Sequence, residues 1–90
     1  MEKTIPGGWT PYSTPLSVEA QKVFDSVIKG LMGVHYTPLA FATQVVQGIN
    51  YRFFCNAQGV YPNALNEATI IQVYKLLQGE AHITSIKKVD

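Results

Sequence analysis

Apolar residues recur at three- and four-residue intervals from Ala20 to Leu31. Ala20, Val23, Phe24, Val27, Ile28 and Leu31 share one side, and Gln21, Lys22, Asp25, Ser26 and Lys29 fall mostly on the other. That spacing predicts one amphipathic helix of about four turns. Ser17 is placed to cap its N-terminus, and Glu19 puts negative charge in the first turn, where the helix dipole favours it. Gly30 and Gly33 bracket its end, with Gly33 suited to the left-handed C-terminal position. The period then changes to two. Residues 36–46 predict a first long strand, with Pro38 near its start, where a missing N–H is tolerated. Residues 49–57 predict its partner, in which Tyr51, Phe53, Cys55 and Ala57 face a core while Asn50, Arg52, Phe54 and Asn56 face water. Residues 58–66, with Gly59, Pro62 and two asparagines, read as a loop. Residues 68–77 predict a third strand rich in Ile, Val and Tyr, and residues 82–89 alternate weakly as a fourth. Residues 1–15 hold three prolines and two glycines without periodicity, and read as an extended leader, mobile when free, rather than an element.

One helix cannot hide its apolar stripe alone, so an antiparallel meander must wrap it, which is α+β layering. Within that meander one turn breaks the usual pattern. Gln44, Val45, Val46, Gln47 and Gly48 form a hairpin tip, where Gly48 can take a positive φ without a Cβ clash and reverse the chain. Val45, Val46 and Ile49 are left near the end of a ribbon, where burial is hard to arrange. An apolar tip points to a surface that enters something.

Ninety residues make one domain, 1–90, large enough to remove roughly 60–68% of the unfolded chain's surface from water. Hydrophobic residues at 47% and charged residues at 14% describe a globular chain. Net charge is +1 and only Lys87 and Lys88 are adjacent cations, which leaves no footprint for nucleic acid. No run of 18 apolar residues provides a membrane span. Met1, Glu2 and Lys3 lead into Pro6, Gly7 and Gly8 rather than an apolar signal segment. The expectation is a cytoplasmic protein, or the trimmed mature form of a secreted one behind an added Met. Cys55 is the single cysteine, so no intramolecular disulfide forms, and its place on the apolar face favours core packing over a nucleophile's role beside His35 or His82. Neither histidine has ligand-type neighbours at metal spacing, Glu67 and Glu80 are isolated, and no glycine motif cradles phosphate. No metal, cofactor or enzymatic reaction is expected.

Residues 44–48 resemble the QxVxG loop of cystatins and stefins, the protein inhibitors of papain-like cysteine proteases, and continue with the Asn and Tyr common after it, here Asn50 and Tyr51. Pro6, Gly7 and Gly8 look like the glycine of the family's N-terminal trunk, with a helical segment between. Ile71, Gln72, Val73 and Tyr74, leading to Gln78 and Gly79, look like a strand and the second hairpin loop. Order and spacing fit across residues 5–89, and the absence of a disulfide is stefin-like. The resemblance implies a cystatin-like fold, one helix wrapped by a four- to five-stranded antiparallel sheet, and a monomeric, reversible, competitive inhibitor with no catalytic residue. The implied protease-binding residues are Pro6, Gly7, Gly8, Gln44, Val45, Val46, Gln47, Gly48, Leu77, Gln78 and Gly79. The leader would fill non-primed pockets with Thr4 and Ile5 and bend away at Gly7 or Gly8. The first hairpin would cover the nucleophile, and the second would rest on the primed side. Three features depart from the family pattern. Leu77, Gln78 and Gly79 stand where a Pro and Trp pair is usual, Gln47 replaces a small residue, and a short link implies a clipped helix or first strand. Trp9 reads as a staple of the leader onto the sheet, the alternative being a target contact. The runner-up function is a non-inhibitory protein- or peptide-binding module of the same fold, and a third is a scaffold that dimerises by exchanging the 45–48 hairpin.

Overall fold

The structure, a computed structural model, describes residues 7–90. A single helix, α1 (Val18–Ile28), precedes four strands, β1 (Val34–Val46), β2 (Gly48–Gly59), β3 (Asn66–Lys75) and β4 (Ala81–Lys88). The strands form one antiparallel sheet in the order β1-β2-β3-β4. The architecture is therefore α+β, a helix laid on a meander.

Ser17 caps α1 as its position demands, accepting the Ala20 N–H on Oγ at 3.1 Å. The helix runs three turns, one fewer than the apolar spacing predicts, and Leu31 falls in the turn beyond it, donating its N–H to the Ile28 carbonyl. Gly33 is left-handed, with φ at +87°, but it turns the chain into β1 rather than closing the helix. Its carbonyl accepts the Val60 N–H at 3.1 Å. The first strand, at 13 residues, is not clipped.

The alternation read along β2 holds. Tyr51, Phe53 and Cys55 join Ile71 and Val73 of β3 beneath Ala20, Val23 and Phe24 of α1. Phe24 meets Phe53 edge-on with ring centroids 5.2 Å apart, and Tyr51 stacks on Phe53 at 5.6 Å. Full burial of an aromatic or aliphatic side chain of this size contributes roughly 1.5–3 kcal/mol, so this layer holds the helix on the sheet.

The two sheet edges are closed differently. Along β1 the leader is hydrogen-bonded rather than free. Thr10 donates its N–H to the Thr43 carbonyl at 2.9 Å, and Ser13 and Phe41 exchange N–H···O bonds at 2.8 and 3.0 Å. Pro11, with no N–H to give, lies between those bonded positions. The free edge of β4 carries a bulge at Thr84, between Ile83 and Ser85, followed by Lys87 and Lys88. Bulges and lysines are the usual devices that stop an edge from recruiting another strand.

Cys55 is fully buried, and burial pushes its thiol from 9.0 up to about 12. Burial, with a smaller push from the Glu19 charge, raises Tyr51 as well. A folded-state pKa above the unfolded value means that the native state holds its proton longer. The associated stability is intact below about pH 9 and is lost as pH rises toward 12, at ~1.4 kcal/mol per pH unit. Urea unfolding at pH 8 and pH 10 should show the parent losing about 1.4 kcal/mol more than Cys55→Ala over that interval. Equal losses would mean that the thiol is not held protonated by the fold.

Candidate functional site at one end of the sheet

The meander brings three segments, distant in sequence, to one end. Ile49 at the start of β2 pairs with Val45 on one side and Lys75 on the other, so the first hairpin tip abuts the loop between β3 and β4. The leader arrives at the same place, where the Gly7 N–H lies 3.3 Å from the Val45 carbonyl.

The first tip is tight. Val46 pairs with Gly48 and leaves Gln47 alone at the apex. Gly48 is buried with φ at +108°, and a Cβ placed on it would lie 2.6 Å from both the Lys75 carbonyl and the Tyr74 hydroxyl. Glycine is required here twice over, by dihedral and by space. The Tyr74 hydroxyl donates to the Gln47 carbonyl, tying the apex to β3. The three apolar residues of this turn divide. Ile49 packs inward against the core, whereas Val45 and Val46 stay 44% and 42% exposed.

The second tip is a five-residue connection between β3 and β4 in which the Leu76 N–H bonds the Glu80 carbonyl at 3.3 Å. β3 ends at Lys75, two residues sooner than its sequence predicts, so Leu76 and Leu77 both belong to the loop, at 48% and 73% exposure. Gly79 backs closely onto Leu76, with an added Cβ 3.1 Å from its Cδ1. His82 sets its ring edge-on to Tyr74 at 5.8 Å. Lys75 turns its Nζ back to the Leu76 carbonyl, 3.1 Å away.

In the leader, Gly7 is the residue with positive φ, at +84°, so the bend belongs to Gly7 rather than Gly8. Pro6, with Thr4 and Ile5, lies outside the described residues. Trp9 bridges to Gln44 in the sheet and lays its ring over the Arg52 guanidinium, 3.9 Å from the ring centroid, while Tyr12 meets Phe54 edge-on at 6.3 Å. The staple expected of Trp9 is thus a cation–π contact on the face away from the helix.

Gln44, half-buried, engages its amide within the chain. Its Nε2 donates to the Gly7 carbonyl at 2.9 Å and its Oε1 accepts from Asn50 Nδ2 at 2.8 Å. Of the sequence-predicted residues, Gly7, Gly8, Gln44 to Gly48 and Leu77 to Gly79 all fall at this end. Leu76, Tyr74 and Asn50 join them without having been singled out as site residues. The signal for Leu76 was the apolar pair it forms with Leu77 just ahead of Gln78 and Gly79.

Turns and aliphatic side chains at this end can fill an apolar cleft, and Cys55, the single thiol of the sequence, is buried on the helix side of β2. Among the described residues, no three His, Cys, Asp or Glu side chains are grouped to hold a metal ion, and no helix is long and apolar enough to cross a membrane. Comparison of the chain with protein-family models, with curated proteins and with solved structures finds no match to any of them.

Proposed function

We propose that this protein is a cystatin-like, reversible and competitive inhibitor of papain-like cysteine proteases, acting through the sheet end formed by the leader and the two hairpin tips. One observation carries the reading. The bend at Gly7, the valines of the first tip and the leucines of the second lie side by side, and the aliphatic groups are held in the open by tight turns rather than buried. Exposed apolar groups on a rigid support have a use when a partner covers them.

Each segment has a distinct role. The chain before Gly7 runs along the non-primed side of a protease cleft, pairing main-chain groups as an extended peptide does. Val45 and Val46 sit over the catalytic thiolate and exclude water from it without offering a bond to cleave. Leu76 and Leu77 rest on the primed side, supplying apolar area in place of an aromatic anchor. Gly48 and the Tyr74 hydroxyl hold the first tip in one shape before contact, so docking costs little conformational freedom.

The test is a titration of papain activity with the purified monomer. The expected result is a stoichiometric fall in activity that reverses on dilution and weakens as substrate concentration rises. A folded monomer that leaves papain untouched at micromolar concentration overturns the reading and favours a binding module with another partner. The monomer fraction is specified because a dimer exchanging the 45–48 hairpin would bury the tip.

A further inference from the structure

We infer that Gln44 is a positioning residue: its side-chain amide fixes the direction in which the leader leaves the first hairpin, instead of touching a protease. The functional meaning rests on the inhibitor reading above, and the geometry rests on contacts within the chain alone.

The amide is engaged at both ends. Asn50 Nδ2 donates to its oxygen at 2.8 Å, and its nitrogen donates to the Gly7 carbonyl at 2.9 Å. The Gly7 carbonyl sets the orientation, since it can only accept and turning the Gln44 amide over would aim an acceptor at it; Asn50 then supplies the matching donor. Asn50 pairs across the sheet with Tyr74, whose hydroxyl bonds the Gln47 carbonyl. One connected path therefore joins leader, first tip and β3.

Among the described residues, no other contact holds Gly7 as closely, and a Cβ placed on it would meet none of their atoms within 4 Å, so crowding by them does not impose its left-handed bend. Its own N–H bond to the Val45 carbonyl is long, at 3.3 Å. Two residues on, the leader is fixed a second time by the Trp9 ring over Arg52. With Trp9 stapled and Gly7 clamped, the backbone at Gly7 is fixed beside Val45 before any target is met. A segment fixed in advance loses less freedom on docking. The effect of Gln44 on binding must then be transmitted through the leader.

Two measurements decide it. The first is the dissociation rate of the papain complex for the parent, Gln44→Ala, Ile5→Ala and the double variant. Gln44→Ala should speed dissociation about tenfold when Ile5 is present and less than about threefold in the Ile5→Ala background, the non-additivity of coupled sites. The same factor in both backgrounds overturns the inference, because it would make Gln44 a direct contact. The second needs no protease. Hydrogen exchange of the Gly7 amide should be about tenfold faster in Gln44→Ala and in Gln44→Glu, with the Ser13 amide unchanged. Gln44→Glu keeps the acceptor for Asn50 and sets a carboxylate against the Gly7 carbonyl. An unchanged Gly7 amide in both variants overturns the clamp. If the parent fails to inhibit papain, the inhibitor reading falls alone, and the exchange result still decides the clamp.

Discussion

Gly48→Glu should lower the unfolding free energy by about 3 kcal/mol and abolish papain inhibition together. Three costs combine at this one position. A φ of +108° suits glycine and strains any residue with a Cβ, by roughly 1–3 kcal/mol. The new Cβ would lie 2.6 Å from the Lys75 carbonyl, which is backbone at the end of β3 and cannot swing aside as a side-chain tip can. The carboxylate would then have to leave a buried position already occupied by the Tyr74 hydroxyl. Relief requires β2 and β3 to part near Ile49 and Lys75, which separates the two tips. Urea unfolding should show a lower midpoint at an unchanged slope, since the surface exposed on unfolding stays the same. A loss below about 1 kcal/mol would contradict the tightness of this turn.

Val46→Asp should leave stability within about 0.5 kcal/mol of the parent yet weaken papain inhibition at least about 100-fold. Val46 is 42% exposed and absent from the packed core, so folding gains little from it. In the proposed complex the same side chain is covered, and a carboxylate there would be desolvated beside a thiolate of like charge. Unaltered inhibition by the folded variant would remove Val46 from the binding surface. Read as a pair, the substitutions separate the scaffold from the contact: Gly48→Glu moves both readouts, and Val46→Asp moves one.

The strands were legible because side-chain alternation is a property of sequence. Tyr51, Phe53, Cys55 and Ala57 announce a buried face whatever pairs with it, and the observed strands begin and end within two residues of those predicted. The leader was legible only at Trp9, because elsewhere it joins the sheet through backbone groups of Thr10 and Ser13 and short hydroxyl bonds of Thr10 and Thr14, which leave no pattern, and its prolines read as loop. Ile49 looked like part of an exposed tip because its burial depends on neighbours brought in by the fold. The contacts of Gln44 were not legible, since its partner Gly7 lies 37 residues away along the chain. The convergence of the tips follows from a meander's connectivity once the strands are known, and Leu76 and Leu77 ahead of Gln78 and Gly79 mark the second tip as apolar in the sequence itself, although β3 ends two residues sooner than predicted.

The direction of β4 has a practical consequence. It starts at Ala81 beside the second tip and runs to Lys88, opposite Thr69, and the Val89 N–H bonds the Ala68 carbonyl. The C-terminal residues therefore sit at the far end of a body 43 Å long, while Gly7 sits among the apolar turns. Anchoring the protein to a bead or sensor surface through Asp90 would present those turns to solution, whereas attachment ahead of Gly7 would crowd them.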